Sequence, residues 1–291
     1  MAPGRNERAR EGAHEAAREW TRGPGLAEAA SPIPRIVHQI WLQGADRVPD
    51  RYVPMRQSWL DSHPTWKHVL WDEESIRQLL AERFSWFLPT YRSYPTLHQK
   101  VDSARYFILR EHGGFYADMD ARCLRPLDGL LERFPRARLI VSRQPFGPLE
   151  NRLIRLFVGT RHILTNAVMG SVPRLQAWEQ VLRGLVCSAH RFAFLPEMSI
   201  TYSTGPAFLS QALRPALRGD PGMVVLPARY FEPAFGYDEA GMARREALEA
   251  DDRFVEHRQD ATWHSPPLRW LFVRYFRVKH MLWGPQPCPE R

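Results

Sequence analysis

Apolar side chains recur along this chain in two rhythms. Short, nearly continuous apolar runs at Ile36–Leu42, Lys67–Trp71, Phe115–Ala117, Leu139–Ser142 and Met223–Leu226 predict buried strands. Between them, Glu73–Arg83, Gln99–His112 and Arg174–Leu185 repeat their apolar residues at helical spacing. In the second of these, Val101, Ala104, Ile108 and Leu109 mark the inward stripe. Gly113-Gly114 follows at once, two residues that can take the left-handed conformation ending a helix. Alternation of this kind predicts an α/β single domain, a mixed sheet flanked by helices, and such sheets bind nucleotides beyond their strand ends.

The 291 residues, 44% of them hydrophobic, suffice for one large core. Residues 1–31 are mostly Ala, Arg, Glu and Gly, with Trp20 and Leu26 as their sizeable apolar side chains, and predict a flexible tail. That leaves a domain over 32–284 and a short tail at 285–291. The N-terminal tail lacks the apolar centre of a secretory signal, and no apolar span is long enough to cross a bilayer, so the expected compartment is the cytoplasm. Cys123, Cys187 and Cys288 stand in no metal-ligand spacing and read as free, buried thiols in a reducing environment.

Charge adds a constraint on partners. The formal net charge is +8, and because Lys67, Lys100 and Lys279 are the only lysines, the excess is arginine. The arginines are spread out and accompany no recognition motif, which argues against nucleic acid. An anionic donor, a lipid phosphate or an acidic membrane surface explains the sign. Leu268–Trp283 mixes large apolar residues with Arg269, Arg274, Arg277 and Lys279 in the manner of an interfacial helix, giving peripheral contact with the inner face of a membrane. A C-terminal helix packed on the core explains the same residues.

The chemistry concentrates around Asp118 and Asp120, at the end of the short strand after Gly113-Gly114. Two residues apart, these acids would share one face of an ideal strand, about 6 to 7 Å from each other along the chain. One carboxylate can then bind a cation while the other holds a neighbouring group or a metal-bound water. Mn²⁺ and Mg²⁺ suit such a site, since both favour carboxylate, water and phosphate oxygens. Asp102 and Arg105 share one face of the preceding helix. A solvated ion pair of little energetic weight is one reading of them. Their neighbours Val101, Ala104, Tyr106 and Phe107 favour an inward face, with an acid for sugar hydroxyls and a guanidinium for phosphate or carbohydrate oxygens.

Several blocks now fall in order: Pro34-Arg35-Ile36-Val37-His38-Gln39-Ile40-Trp41, Ser58-Trp59, His63-Pro64, Leu70-Trp71-Asp72, Asp102-x-x-Arg105-Tyr106 and Gly113-Gly114-x-Tyr116-x-Asp118-x-Asp120. Together they resemble the DXD-containing glycosyltransferases of family 32, which are similar to the glucosyltransferase domains of clostridial toxins. The resemblance is strongest over 32–128 and thins to Thr165-Asn166-x-x-Met169-Gly170, Thr204-Gly205-Pro206 and Trp263-His264 with Trp270. It implies a GT-A (Rossmann-like) fold with helical additions. It also implies metal-dependent, retaining transfer of a hexose from a nucleotide-diphosphate sugar, UDP- or GDP-linked, to a glycan, lipid-linked or small-molecule acceptor, as in polysaccharide biosynthesis. Carried over by position, Trp41 stacks on the donor base, Asp102 and Arg105 hold the sugar, and Asp118 contacts ribose or sugar and joins the metal site. Asp120 binds the metal, Asn166 lies near the donor sugar, and His264 returns to the metal or a phosphate oxygen. Asn166 is also a good turn residue, Trp41 also reads as core, and His38 reads as a buried histidine bonded to backbone.

Two rivals stand beside this. In a phosphohydrolase, Asp118 would be the nucleophile, Asp120 the acid and Asp251-Asp252 distal metal ligands, but no lysine lies between Lys100 and Lys279 to hold the phosphoryl group. A non-catalytic carbohydrate-binding protein would use the tryptophans as stacking platforms.

Overall fold

The computed structural model describes residues 31–145, 152, 156, 158–160, 162–189, 196–231 and 253–257. The predicted tails at 1–30 and 285–291, the 268–283 segment, Asp251-Asp252, the Trp263-His264 block with Trp270 and Cys288 lie outside the described residues. The described strands are β1 (Ile36–Ile40), β2 (Lys67–Trp71), β3 (Gly114–Ala117), β4 (Ala121–Cys123), β5 (Leu139–Ser142), β6 (Val168–Ser171), β7 (Met223–Leu226) and β8 (Val255–His257). The helices are α1 (Val53–Ser62), α2 (Glu73–Arg83), α3 (Leu88–Ser93), α4 (Leu97–His112), α5 (Asp128–Arg133), α6 (Ala177–Ser188), α7 (Pro196–Ser203) and α8 (Pro206–Leu213).

Six strands form one sheet in the order β2-β1-β3-β6-β5-β7. All run parallel except β6, which is antiparallel to both of its neighbours. The predicted mixed α/β sheet flanked by helices is therefore what forms. Both faces are covered, and successive residues alternate between the two core layers. Tyr116, Leu139, Val141 and Met169 pack into the layer of Leu80, Phe107, Trp178 and Leu209, while Phe115, Ala117, Ile140 and Val168 pack into that of Trp59, Trp66 and Phe231. Double burial is why these strands read as continuous apolar runs. Several boundaries differ from expectation; α4, for one, starts at Leu97 rather than Gln99. β1 stops at Ile40, leaving Trp41 beyond it, and the helix expected at Arg174–Leu185 starts at Ala177, because Arg174 has φ 56° and cannot be helical. Cys123 is buried as expected, but Cys187 is exposed on α6.

The turn from α4 into β3 needs both of its glycines. Gly113 and Gly114 have φ of 63° and 84°, and a Cβ would lie 2.8 Å from the Ser171 carbonyl oxygen at the first and 2.7 Å from that of Ile36 at the second. The chain is thereby threaded between β1 and β6, which aims the end of β3 at the edge where β1, β5 and β7 also finish and β6 begins.

His38 is a structural residue. Its Nε2 lies 2.9 Å from the Gly113 carbonyl and its Nδ1 accepts from Trp71 Nε1 at 3.1 Å, a neutral tautomer with the proton on Nε2. Burial pushes its pKa down from 6.5 to about 3, only partly offset by the bond to Gly113. The unfolded chain takes up a proton near pH 6.5 that the fold refuses until about pH 3. The stability His38 supplies is thus whole above 6.5 and lost as pH falls toward 3, on the order of 5 kcal/mol. Urea unfolding across this window should show that decline, and His38→Gln should flatten its slope by up to one proton.

Candidate active site

Beyond β3 the chain does not continue as a strand. The Asp118 amide donates to the Ala167 carbonyl at 2.8 Å and the Ala121 amide to the Asp118 carbonyl at 3.1 Å, a tight turn spanning Asp118 to Ala121. The two acids therefore sit on a turn rather than on one face of an extended strand. The small sheet β4-β8 pairs Ala121 with His257, which sets that imidazole beside the turn. His257 Nε2 is 3.1 Å from Asp120 Oδ1 and 4.0 Å from Asp118 Oδ2. One ligand atom from each of Asp118, Asp120 and His257 falls within 4.8 Å of the others.

Behind this turn lies a buried ionic network. Arg105 Nη2 is 2.9 Å from Asp102 Oδ1 and 3.3 Å from Asp118 Oδ1, and Nη1 donates to the Asn166 carbonyl at 2.6 Å. Its guanidinium lies 4.6 Å from the centre of the Tyr116 ring. Asp102 is filled on both oxygens: Asn166 Nδ2 donates to Oδ1 at 3.0 Å and Thr204 Oγ1 to Oδ2 at 3.1 Å. Tyr106 Oη donates to the Thr204 carbonyl at 2.7 Å, and Tyr116 Oη to Asp118 Oδ1 at 2.6 Å. The solvated ion pair weighed for Asp102 and Arg105 is thus replaced by a pair buried at 7% and 4% exposure.

Burial sets the electrostatics. It pushes Asp102 up to about 6, with Arg105 pulling the other way and Asp118 adding to the rise. It raises Asp118 too, again opposed by Arg105 and reinforced by Asp120. For Arg105, burial disfavours the charge, but Asp118, Tyr116 and Asp102 outweigh it and hold the guanidinium above its ordinary range. The cation is what lets two carboxylates stay together in this interior.

Trp41 sits just past β1, partly exposed, on the same edge of the sheet. Its indole N–H donates to the Arg47 carbonyl at 2.8 Å and its ring packs against Tyr52 at 5.5 Å, so the ring is fixed with part of its surface open. Asp102, Arg105, Asp118 and Asn166 form one connected group, with Asp120 on the adjoining turn. His264 lies outside the described residues. His257, Tyr116, Tyr106 and Thr204 were not assigned roles from sequence. Tyr116 and Thr204 stand inside recognised blocks, but nothing in the spacing marks His257, 137 residues from Asp120.

The donor set fits a divalent cation. Two carboxylates and one imidazole supply hard oxygens and a nitrogen, a mixture better suited to Mn²⁺ than to Mg²⁺, which prefers oxygen throughout. Three protein ligands leave further positions for substrate oxygens or water.

Residues 49–135 match the glycosyltransferase sugar-binding region containing a DXD motif, in agreement with the resemblance drawn from the motifs. Inositol phosphoceramide mannosyltransferase 3 of Schizosaccharomyces pombe is 36% identical over 62% of this chain and 45% of its own length. Inositol phosphoceramide mannosyltransferase 2 of the same yeast is 32% identical over 80% of this chain and 59% of its own length. The chain spans about half the length of these curated relatives. Among solved structures, the ligand-free glycosyltransferase domain from the YGT toxin aligns with a TM-score of 0.45 at 10% identity, over 89% of this chain and 92% of that one.

These relatives overturn the cytoplasmic expectation. Their names specify inositol phosphoceramide, a two-chain lipid that resides in membranes, so the compartment inferred from the missing signal and thiol usage does not stand. No helix among the described residues is long and apolar enough to cross a membrane.

Proposed function

We propose that this chain, which carries a DXD-type glycosyltransferase sugar-binding region, is a metal-dependent, retaining glycosyltransferase of GT-A architecture. It moves a hexose from a UDP- or GDP-sugar to a glycan, lipid-linked or small-molecule acceptor. The names of its relatives favour mannose as the sugar and an inositol-phosphate lipid as the acceptor. The observation that carries the reading is the Asp118, Asp120 and His257 triplet set directly against the buried Arg105 network at the carboxyl edge of the sheet.

Asp118, Asp120 and His257 would hold the cation. When bound, it supplies Lewis-acid neutralisation of the leaving diphosphate. The chain does the rest by position. Arg105 and the Tyr116 hydroxyl fix both oxygens of Asp118, so that carboxylate is oriented before substrate arrives. Trp41 offers its open face to the base. Asp102 and Asn166 stand where sugar hydroxyls can exchange for the bonds they now make to each other. Asp102 is engaged on both oxygens, which leaves it a poor nucleophile and favours front-face attack within an ion pair as the route to retention.

Trp41→Ala should raise the donor KM by about 10- to 100-fold with a smaller change in kcat, the loss of one stacked base. Steady-state kinetics with varied donor checks this. The whole reading is tested by release of nucleoside diphosphate from UDP- and GDP-sugars with Mn²⁺ and with chelator. Metal-dependent release from one donor class is expected. Turnover of a generic phosphate monoester without release from any donor would replace it with the phosphohydrolase, and binding of sugars without turnover would replace it with the carbohydrate-binding protein.

A further inference from the structure

Two of the blocks read in the sequence, Ser58-Trp59 and His63-Pro64, supply no side chain to the site. Ser58 and Trp59 lie toward the end of α1, and His63 is its C-terminal cap residue. All three bond to the stretch of chain that leaves the acidic turn. Trp59 Nε1 donates to the Ala121 carbonyl at 2.8 Å, the Cys123 amide donates to Ser58 Oγ at 2.9 Å, and the Leu127 amide donates to His63 Nε2 at 2.8 Å. His63 Nδ1 lies 3.1 Å from the Trp59 carbonyl, so the neutral ring carries its proton there and donates back to the helix. The Ser58 hydroxyl donates its own proton to the Met55 carbonyl at 2.6 Å.

The small sheet explains why β4 needs these bonds. It has two strands, β4 and β8, so β4 has β8 on one edge and no strand on the other. In an antiparallel strand the backbone groups of alternate residues point to the same edge, and an edge left unpaired carries unsatisfied N–H and C=O groups. The Ala121 carbonyl and the Cys123 amide are two residues apart and take their partners from α1, whose side chains stand where a third strand would. Trp59 and Ala121 are both fully buried, and the indole stacks on the His63 ring at 5.8 Å and 15°, which fixes the direction of its N–H.

Ala121 is the residue on which the three candidate cation ligands converge. It follows Asp120 directly, its amide closes the turn on the Asp118 carbonyl at 3.1 Å, and its register partner on β8 is His257. A displacement of the Ala121 backbone would carry Asp120 and His257 with it. We infer that Trp59 is a positioning residue for the cation site: by holding the Ala121 carbonyl, its indole N–H fixes the turn and the strand pair from which Asp120 and His257 project. Ser58 and His63 hold the same segment further along, at Cys123 and Leu127. The inference rests on the metal-dependent reading above. Groups outside the ligand set that orient the ligands are worth about 10- to 100-fold in metal affinity.

The test is Mn²⁺ titration of the full chain followed by electron paramagnetic resonance, with thermal unfolding of the same samples, on wild type, Trp59→Phe, Ser58→Ala and Leu80→Ala. Phenylalanine keeps an aromatic ring in the core and deletes the donor. Leu80 is buried in the opposite core layer, so its truncation lowers stability without acting on β4. Trp59→Phe should weaken Mn²⁺ binding about tenfold and Ser58→Ala by less, whereas Leu80→Ala should bind as wild type despite its lower melting temperature. Wild-type affinity in folded Trp59→Phe overturns the inference. So does a loss in Leu80→Ala as large as that in Trp59→Phe, because affinity would then follow stability alone. Should Trp59→Phe fail to fold, Ser58→Ala decides: weakened binding at a near wild-type melting temperature supports the inference, and unchanged binding overturns it. No saturable Mn²⁺ binding by wild type, with or without UDP or GDP, overturns the cation reading itself and this inference with it, whereas wild-type binding that the variants leave unchanged sinks the positioning role alone.

Discussion

Asp120→Ala is expected to lower metal-dependent turnover on the order of 1000-fold or more while leaving the fold in place. Its carboxylate sits on a turn, 17% exposed, 3.1 Å from the His257 imidazole. Removing it relieves Asp118 of a neighbouring like charge, and the melting temperature should change little. The kinetic loss should be large because an electrostatic group held against developing charge contributes about 10²- to 10³-fold by itself, and loss of the cation adds to that. The check is turnover of the preferred donor at saturating Mn²⁺, with thermal unfolding of the same sample. Full activity in a folded Asp120→Ala protein would overturn the site.

Arg105→Met should behave in the opposite way, damaging the fold first. The side chain is 5% exposed and bridges two carboxylates, so its loss leaves Asp102 and Asp118 facing each other without a cation. Breaking a buried pair of this kind costs about 3 to 5 kcal/mol. The penalty should depend on pH. Asp102 already sits at about 6, and without its counter-ion both carboxylates are held further above their unfolded values. A group with a raised folded pKa gives stability that is complete below its unfolded value, near 4, and is lost as pH rises through its folded one. The variant should therefore be closest to wild type near pH 4 to 5 and weakest above pH 7. Urea midpoints measured from pH 4.5 to 8 decide it, and a variant with a flat, wild-type profile would show that the network does not depend on Arg105. Asp102→Asn, which removes the charge but keeps the shape, should be milder on stability and fall mainly on transfer.

The parts of the fold that could be read from sequence are those buried on both faces. β2, β5 and β7 run where their apolar residues run, and α2 begins and ends as its pattern predicts, with Asp72 capping it through Ser75. Gly113-Gly114 was legible because few other residues could make that turn. β6 was not, since Val168-Met169-Gly170-Ser171 holds two apolar residues and owes its strand geometry to β3 and β5 on either side. β4 and β8 are three residues each and carry no periodicity. That is also why His257 escaped notice: it reaches the acids only through pairing of β8 with β4, a tertiary fact with no local signature. The Asp102 and Arg105 pair was legible as inward facing from its apolar neighbours, but its closure by Asn166 and Thr204 depends on chain brought in from 64 and 102 residues away.

The central claim is that Asp118, Asp120 and His257 hold one divalent cation at the edge of the sheet. Titration of Mn²⁺ followed by electron paramagnetic resonance, on wild type, Asp120→Ala and His257→Ala, tests it without relying on turnover. One saturable site in wild type, tightened by UDP or GDP and weakened at least tenfold in each variant, is the predicted result. Wild-type affinity in either variant, or no saturable Mn²⁺ binding in wild type with or without nucleotide, would contradict it.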